Sequence, residues 1–140
     1  MKPLIWNEDR KRILKEMNRV LKNGGMMMFS SHNRDYRHFR KPFWLTGSKL
    51  SLSVVKNLLS YVFFLPRHLQ MRKHEVSNDE YTIVNDQDHR FSLLVYYISV
   101  SRQIKQLEDM GMSEINAYNA KGDQVNADKD SFWIYYLATK

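Results

Sequence analysis

Residues 19–33 read RVLKNGGMMMFSSHN, and this stretch decides the fold. A basic helix end, Arg19 and Lys22, runs into Asn23-Gly24-Gly25. Glycine at this point lets the backbone take positive φ and close a helix C-terminus. Four apolar residues follow, Met26 to Phe29, with no polar alternation. A short apolar run behind a helix stop predicts a strand, Met26–Ser30, covered on both faces as in a parallel α/β sheet. It gives way to small or polar side chains, Ser30 to Asn33. Ligands of open α/β sheets sit beyond the carboxyl ends of strands, so Ser31, His32 and Asn33 are candidate site residues.

Upstream, Asn7 is placed to cap a helix, with Glu8 and Asp9 in its first turn. Ile13, Leu14, Met17, Val20 and Leu21 form one apolar stripe on it. Downstream, Arg34–Lys41 (RDYRHFRK) mixes basic and aromatic residues before Pro42. Leu50–Leu65 is the most apolar segment, and Pro66 is expected to end it. It falls short of the ~20 residues that span a bilayer. It reads as a buried or lid helix, or as a surface helix dipping into a membrane with help from Lys49, Arg67, Arg72 and Lys73.

Residues His74–Arg90 are polar and acidic and read as a loop or small hairpin, with a β-prone patch at Tyr81–Val84. Phe91–Ile98 is β-prone or buried. Ser99 or Ser101 can cap a helix through Met110, which Gly111 stops. Ser113–Tyr118 and Phe132–Ala138 are strands, and their proximity in sequence predicts an antiparallel pair.

A length of 140 residues bounds the chain to one domain or part of one. No cysteine is present, which excludes disulfides and thiolate metal sites. Met1–Trp6 is too short for the apolar core of a signal peptide, and a cytoplasmic setting is expected. Residues 1–73 hold 16 Lys and Arg against 4 Asp and Glu, a balance of +12; residues 74–140 hold 6 against 11, a balance of −5. Such a basic half either solvates helix faces or attracts phosphate, nucleic acid or anionic lipid.

RVLKNGG followed by an apolar strand and SSHN resembles the RVLKPGG element and fifth strand of class I S-adenosylmethionine-dependent methyltransferases, with Asn23 in place of the usual proline. YYIS at Tyr96–Ser99, QLEDMGM at Gln106–Met112 and the terminal WIYYLATK resemble a bacterial, type 11-like subgroup of the same family. The resemblance implies an α/β fold: a partial Rossmann-like sheet with strands equivalent to 5, 6 and 7, the last two antiparallel. Residues 1–140 would form a single partial domain, the C-terminal half of that fold, with residues 34–90 as an insertion or lid.

The family's glycine-rich donor loop has no counterpart, because no three of Gly24, Gly25, Gly47, Gly111 and Gly122 fall in a G-x-G-x-x-G arrangement. The resemblance therefore implies that S-adenosylmethionine serves the complete enzyme, that none binds this chain, and that the chain alone is an inactive transferase portion. Strand Met26–Ser30 would lose its neighbour and expose a sheet edge. A homodimer through that edge, or an N-terminal half supplied in trans, is expected.

By resemblance, Ser31, His32, Asn33 and Tyr97 line the acceptor side, with His32 a candidate general base. The catalytic residues and the acceptor stay unassigned. No metal site is expected, since the five histidines show no H-x-x-x-H or H-E-x-x-H spacing. Asp86, Asp88 and His89 cluster, but they read as a solvated loop. The competing reading is a non-enzymatic binding module that uses its basic first half for nucleic acid or an anionic membrane surface.

Overall fold

A computed structural model describes residues 7–39, 52–86 and 90–140. The chain is α/β, with a six-stranded mixed open sheet. The elements run α1 (Asn7–Val20), β1 (Met26–Asn33), α2 (Leu52–Arg72), β2 (Val76–Ser77), β3 (Tyr81–Val84), β4 (Val95–Ile98), α3 (Val100–Glu108), β5 (Ser113–Tyr118) and β6 (Trp133–Thr139). The strand order is β2-β3-β4-β1-β6-β5. Only β1 and β4 are parallel; the other neighbours are antiparallel.

The helix stop behaves as its residues dictate. Gly24 takes φ 77°, and its N–H donates to the Lys140 carbonyl at 2.9 Å while Lys140 N–H returns to Gly25 O. The Lys140 ammonium reaches the carbonyls of Asn18 and Leu21 at 2.7 and 2.8 Å. A cation thereby satisfies acceptors that the helix end leaves open. The last strand is locked to the α1–β1 turn from both its main chain and its side chain.

Strand β1 is longer than expected, since Ser31, His32 and Asn33 belong to it. Tertiary pairing extends it: His32 lies in register with Trp133 of β6 and with Tyr97 of β4. It is also an interior strand and not an edge one. Residues Met26 to His32 all pair with β6, whereas β4 engages only His32 and Asn33. Among the described residues, Met26 to Ser31 have no strand partner on the β4 side.

Successive strand residues point to opposite faces. Met27, Phe29, Ser31 and Asn33 share a face with Ile134, Tyr136, Ala138 and Ala117. Helices α1 and α3 cover this face, and Leu14, Met27, Val100, Leu107, Ile134, Tyr136 and Ala138 form its buried core. Cover on both faces was the sequence expectation and is not what the strand has: Met26 and Met28, on the opposite face, are 66% and 71% exposed.

Helix α1 shows the same one-sidedness. Leu14, Met17 and Leu21 meet the core, but Ile13 and Val20 of the expected stripe are 52% and 67% exposed. Together with Arg12, Glu16 and Met17 they line a shallow outward groove. Asn7 is helical and nearly buried, and its Oδ1 accepts from the Tyr96 hydroxyl at 3.0 Å. Its side chain therefore ties α1 to β4 in place of the expected cap.

Between α1 and α3, the Arg10 guanidinium donates to Gln103 and Gln106 and lies 4.6 Å over the Tyr96 ring. Burial lowers its pKa, with Tyr96 pulling the other way. α3 matches its sequence signals at both ends. Ser99 is the N-cap, its Oγ accepting from Arg102 N–H, and Gly111 takes φ 79° just past the end.

Pro66 lies inside α2 and does not end it. Packing on both sides of the proline holds the helix together. Tyr61 and His68 contact Phe91 at 5.6 and 4.5 Å, and His68 Nδ1 lies 3.0 Å from Asn85 Oδ1. Such contacts outweigh the hydrogen bond a proline removes. Within the stretch 34–90, β3 pairs along its length with β4. The sheet thus has six strands where the three equivalents β1, β5 and β6 were expected. Residues 1–6, 40–51 and 87–89, which include Arg40 and Lys41 of the basic segment, lie outside the described residues.

Candidate functional site

At the carboxyl ends of β1 and β4, on the less covered face of the sheet, a group of rings surrounds His32. Its imidazole lies 3.8 Å from the Trp133 ring centre, 4.8 Å from Phe132 and 5.1 Å from Tyr97. Phe39 completes the group, 4.8 Å from Tyr97. Tyr97 is buried, and its hydroxyl donates to the Asp86 carboxylate. His32, Tyr97 and Asp86 thus stand together on one side of the sheet, an imidazole beside a tyrosine–carboxylate pair within aromatic walls.

Of the four site residues expected from sequence, the structure brings together His32 and Tyr97, which are register partners. Ser31 and Asn33 point to the opposite face, because strand residues alternate. Their environments have other physical consequences.

Asn33 is fully buried and acts as a structural clamp. Its Nδ2 donates to the carbonyls of Asp128 and Ser131, and its Oδ1 accepts from Asp35 N–H at 3.0 Å. It fastens the turn after β1 to the loop before β6. Arg37 adds a second tie, through its N–H to Lys129 O at 2.8 Å and an ion pair with Asp130. This clamp holds Phe132 and Trp133 beside His32.

Ser31 faces the core next to Tyr136. Neither the Ser31 Oγ nor the Tyr136 hydroxyl finds a hydrogen-bond partner among the described residues. Burial pushes the Tyr136 phenol up to about 12, and the nearby Ser31 and Arg10 only temper the rise. An unfolded phenol ionises near 10, so between pH 10 and 12 the unfolded chain releases a proton that the folded chain keeps. Stability present below pH 10 is therefore lost as pH rises through 12, by about 3 kcal/mol in all. Urea unfolding across that range should show the loss, and Tyr136→Phe should reduce it by about that amount while changing stability little at pH 7, the remainder falling to Tyr96, whose pKa burial also raises. An unchanged slope in the variant would assign the alkaline loss elsewhere.

Four residues of the group, Phe39, Asp86, Phe132 and Trp133, were not assigned to a site from sequence. Asp86 read as part of a solvated acidic loop, and Asp88 and His89 of that cluster lie outside the described residues. Phe132 and Trp133 read only as members of a β-prone closing strand. Alternation alone would not have found them: His32 and Trp133 share a face because the β1–β6 register pairs them. Among the described residues, no group of three or more His, Asp or Glu is placed to hold a metal ion.

Comparisons with protein-family models, with curated proteins and with solved structures returned no match.

Proposed function

We propose that this chain is the C-terminal portion of a class I S-adenosylmethionine-dependent methyltransferase and supplies the acceptor-substrate side of its site. The observation that carries the reading is the sheet order β1-β6-β5. The last strand returns antiparallel and inserts between β1 and its own hairpin partner β5, with α1 before β1 and α3 before β5. That arrangement agrees with the strands the sequence resemblance marks as fifth, seventh and sixth.

His32 is the proposed general base, with Tyr97 and Asp86 ordering its surroundings and Trp133 and Phe132 offering apolar walls to an acceptor. In this reading the cradle for the methyl donor belongs to another part of the enzyme. Gly24 and Gly25 precede β1, Gly111 precedes β5 and Gly122 lies between β5 and β6. None follows the carboxyl end of β1 or β4, where backbone must approach such a ligand. No step of donor chemistry is assigned to this chain.

A partner belongs in the same reading. The unpaired flank of β1 from Met26 to Ser31 offers main-chain groups to an added strand. Exposed apolar side chains stand on both layers beside it, Ile13 and Val20 of α1 on one and Met26 and Met28 on the other. A donor half that contributes a parallel strand with a helix on each face would cover all three. A second copy of this chain pairing along β1 is the competing occupant.

Calorimetric titration with S-adenosylmethionine should show no binding to the chain alone; micromolar affinity would refute the assignment of the donor cradle to another part. Mixed with a separately expressed donor half, the chain should transfer labelled methyl to a small-molecule acceptor. His32→Ala should lower that transfer by about 10²–10⁴-fold, the usual contribution of a positioned base. A mixture that forms a stable complex yet transfers nothing to a broad acceptor panel would sink the enzymatic reading.

A further inference from the structure

Helix α2 has two apolar faces, and among the described residues only one packs on the rest of the fold. Tyr61, Phe64 and His68 are half-buried, and Tyr61 and His68 pack on Phe91. Val55, Leu58, Leu59, Val62 and Leu69 recur at i, i+3, i+4, i+7 and i+14, a spacing that gathers them on the opposite side. All five are exposed, and Phe63 beside them is 78% exposed. The stripe covers most of a 21-residue helix, about 30 Å long.

Charge is arranged around this stripe in a specific way. At the helical period Arg67 and Arg72 fall on its two margins, and both are exposed. There is no carboxylate between Asp35 and Glu75, a run that holds eight Lys and Arg. Lys73 continues the basic end. An apolar stripe bordered by arginines and free of acids is complementary to one surface in particular: an anionic lipid bilayer, with apolar side chains at the acyl boundary and cations at the headgroups. No helix among the described residues is long and apolar enough to cross a membrane, so the geometry is that of a helix lying in the interface.

We infer that α2 is a membrane-surface anchor, docking the chain on anionic lipid through Val55, Leu58, Leu59, Val62, Phe63 and Leu69, with Arg67 and Arg72 at the headgroups. The inference is independent of the methyltransferase reading. It requires only the exposed helix face and its charge.

The test is co-flotation of the intact chain with vesicles. Mixed phosphatidylcholine–phosphatidylglycerol vesicles should retain it at least about tenfold better than pure phosphatidylcholine vesicles. Raising salt from about 0.1 M to about 0.5 M should release most of it, as screening shortens the reach of the headgroup charge. Leu59→Glu/Phe63→Glu, two exposed positions whose change leaves the core intact, should lose retention about tenfold or more while keeping the native circular dichroism spectrum. Arg67→Glu/Arg72→Glu should abolish the preference for anionic lipid. As a direct reporter, Phe63→Trp should shift its fluorescence to the blue when anionic vesicles are added.

Several results would overturn the inference. One is a folded chain that anionic vesicles do not retain. Another is retention that Leu59→Glu/Phe63→Glu leaves unchanged. A third is a dimer, seen by light scattering, that the same variant splits without any vesicle binding, which would assign the stripe to a second copy. Salt-sensitive binding to duplex DNA in place of vesicles would reassign the basic run to nucleic acid.

Discussion

Asn33→Asp will destabilise the chain by about 3 kcal/mol or more, enough to consume much of the stability of a domain this size. The Asn33 amide donates to two carbonyls, those of Asp128 and Ser131, from a fully buried position. Aspartate has almost the same shape but no donor. Ionised, it would aim its charge at two carbonyl oxygens; protonated, it would offer one donor where two are needed. The cost should therefore shrink but persist as pH falls below the carboxylate range. Chemical denaturation at pH 7 and pH 4 measures both points. A variant within about 0.5 kcal/mol of the parent, the range of an ordinary surface change, would show that the clamp contributes nothing. Because the same clamp holds Phe132 and Trp133 beside His32, loosening it should also alter Trp133 fluorescence in any variant that still folds.

Leu107→Ala should cost about 2–5 kcal/mol. Leu107 is fully buried in α3 and joins the core formed with Leu14, Met112, Ala117 and Ile134. Its carbonyl also accepts from both Met110 and Met112 N–H groups at 3.1 Å, in the turn that leads into β5. Truncation opens a cavity at the point where α3 meets the sheet, and the tight turn limits how far the helix can collapse into it. For a chain of this length a loss of about 3 kcal/mol lowers the melting temperature by about 10 °C. Leu107→Met, which conserves volume, should cost less than about 1.5 kcal/mol. Equal losses for the two variants would mean that packing volume is not what the site requires.

Elements whose causes are local were legible in the sequence. The stop after α1 needs only a residue that accepts positive φ, and Gly24 supplies it. The cap at Ser99, the stop at Gly111, strand β5 and the antiparallel β5–β6 pair follow from capping chemistry, β propensity and a short connection. Candidate site residues were legible only in part. His32 and Tyr97 were named together, yet nothing within either segment says that β1 and β4 will be neighbours in register at those residues.

Sequence by itself determined where α1 ends, that Met26 begins a strand, and that the chain closes on a hairpin, because each depends on a few adjacent residues. Tertiary structure alone decided how far β1 runs, since pairing with Trp133 and Tyr97 draws Ser31, His32 and Asn33 into the strand. That pairing in turn splits the polar tip between two faces, leaving His32 among rings with Tyr97 and Asp86 and sending Ser31 and Asn33 to the other side. Other tertiary contacts carried α2 through Pro66 and joined β2 and β3 to the sheet through β4. Register and strand adjacency are set by contacts between residues tens of positions apart, and a pattern read along the chain does not contain those contacts.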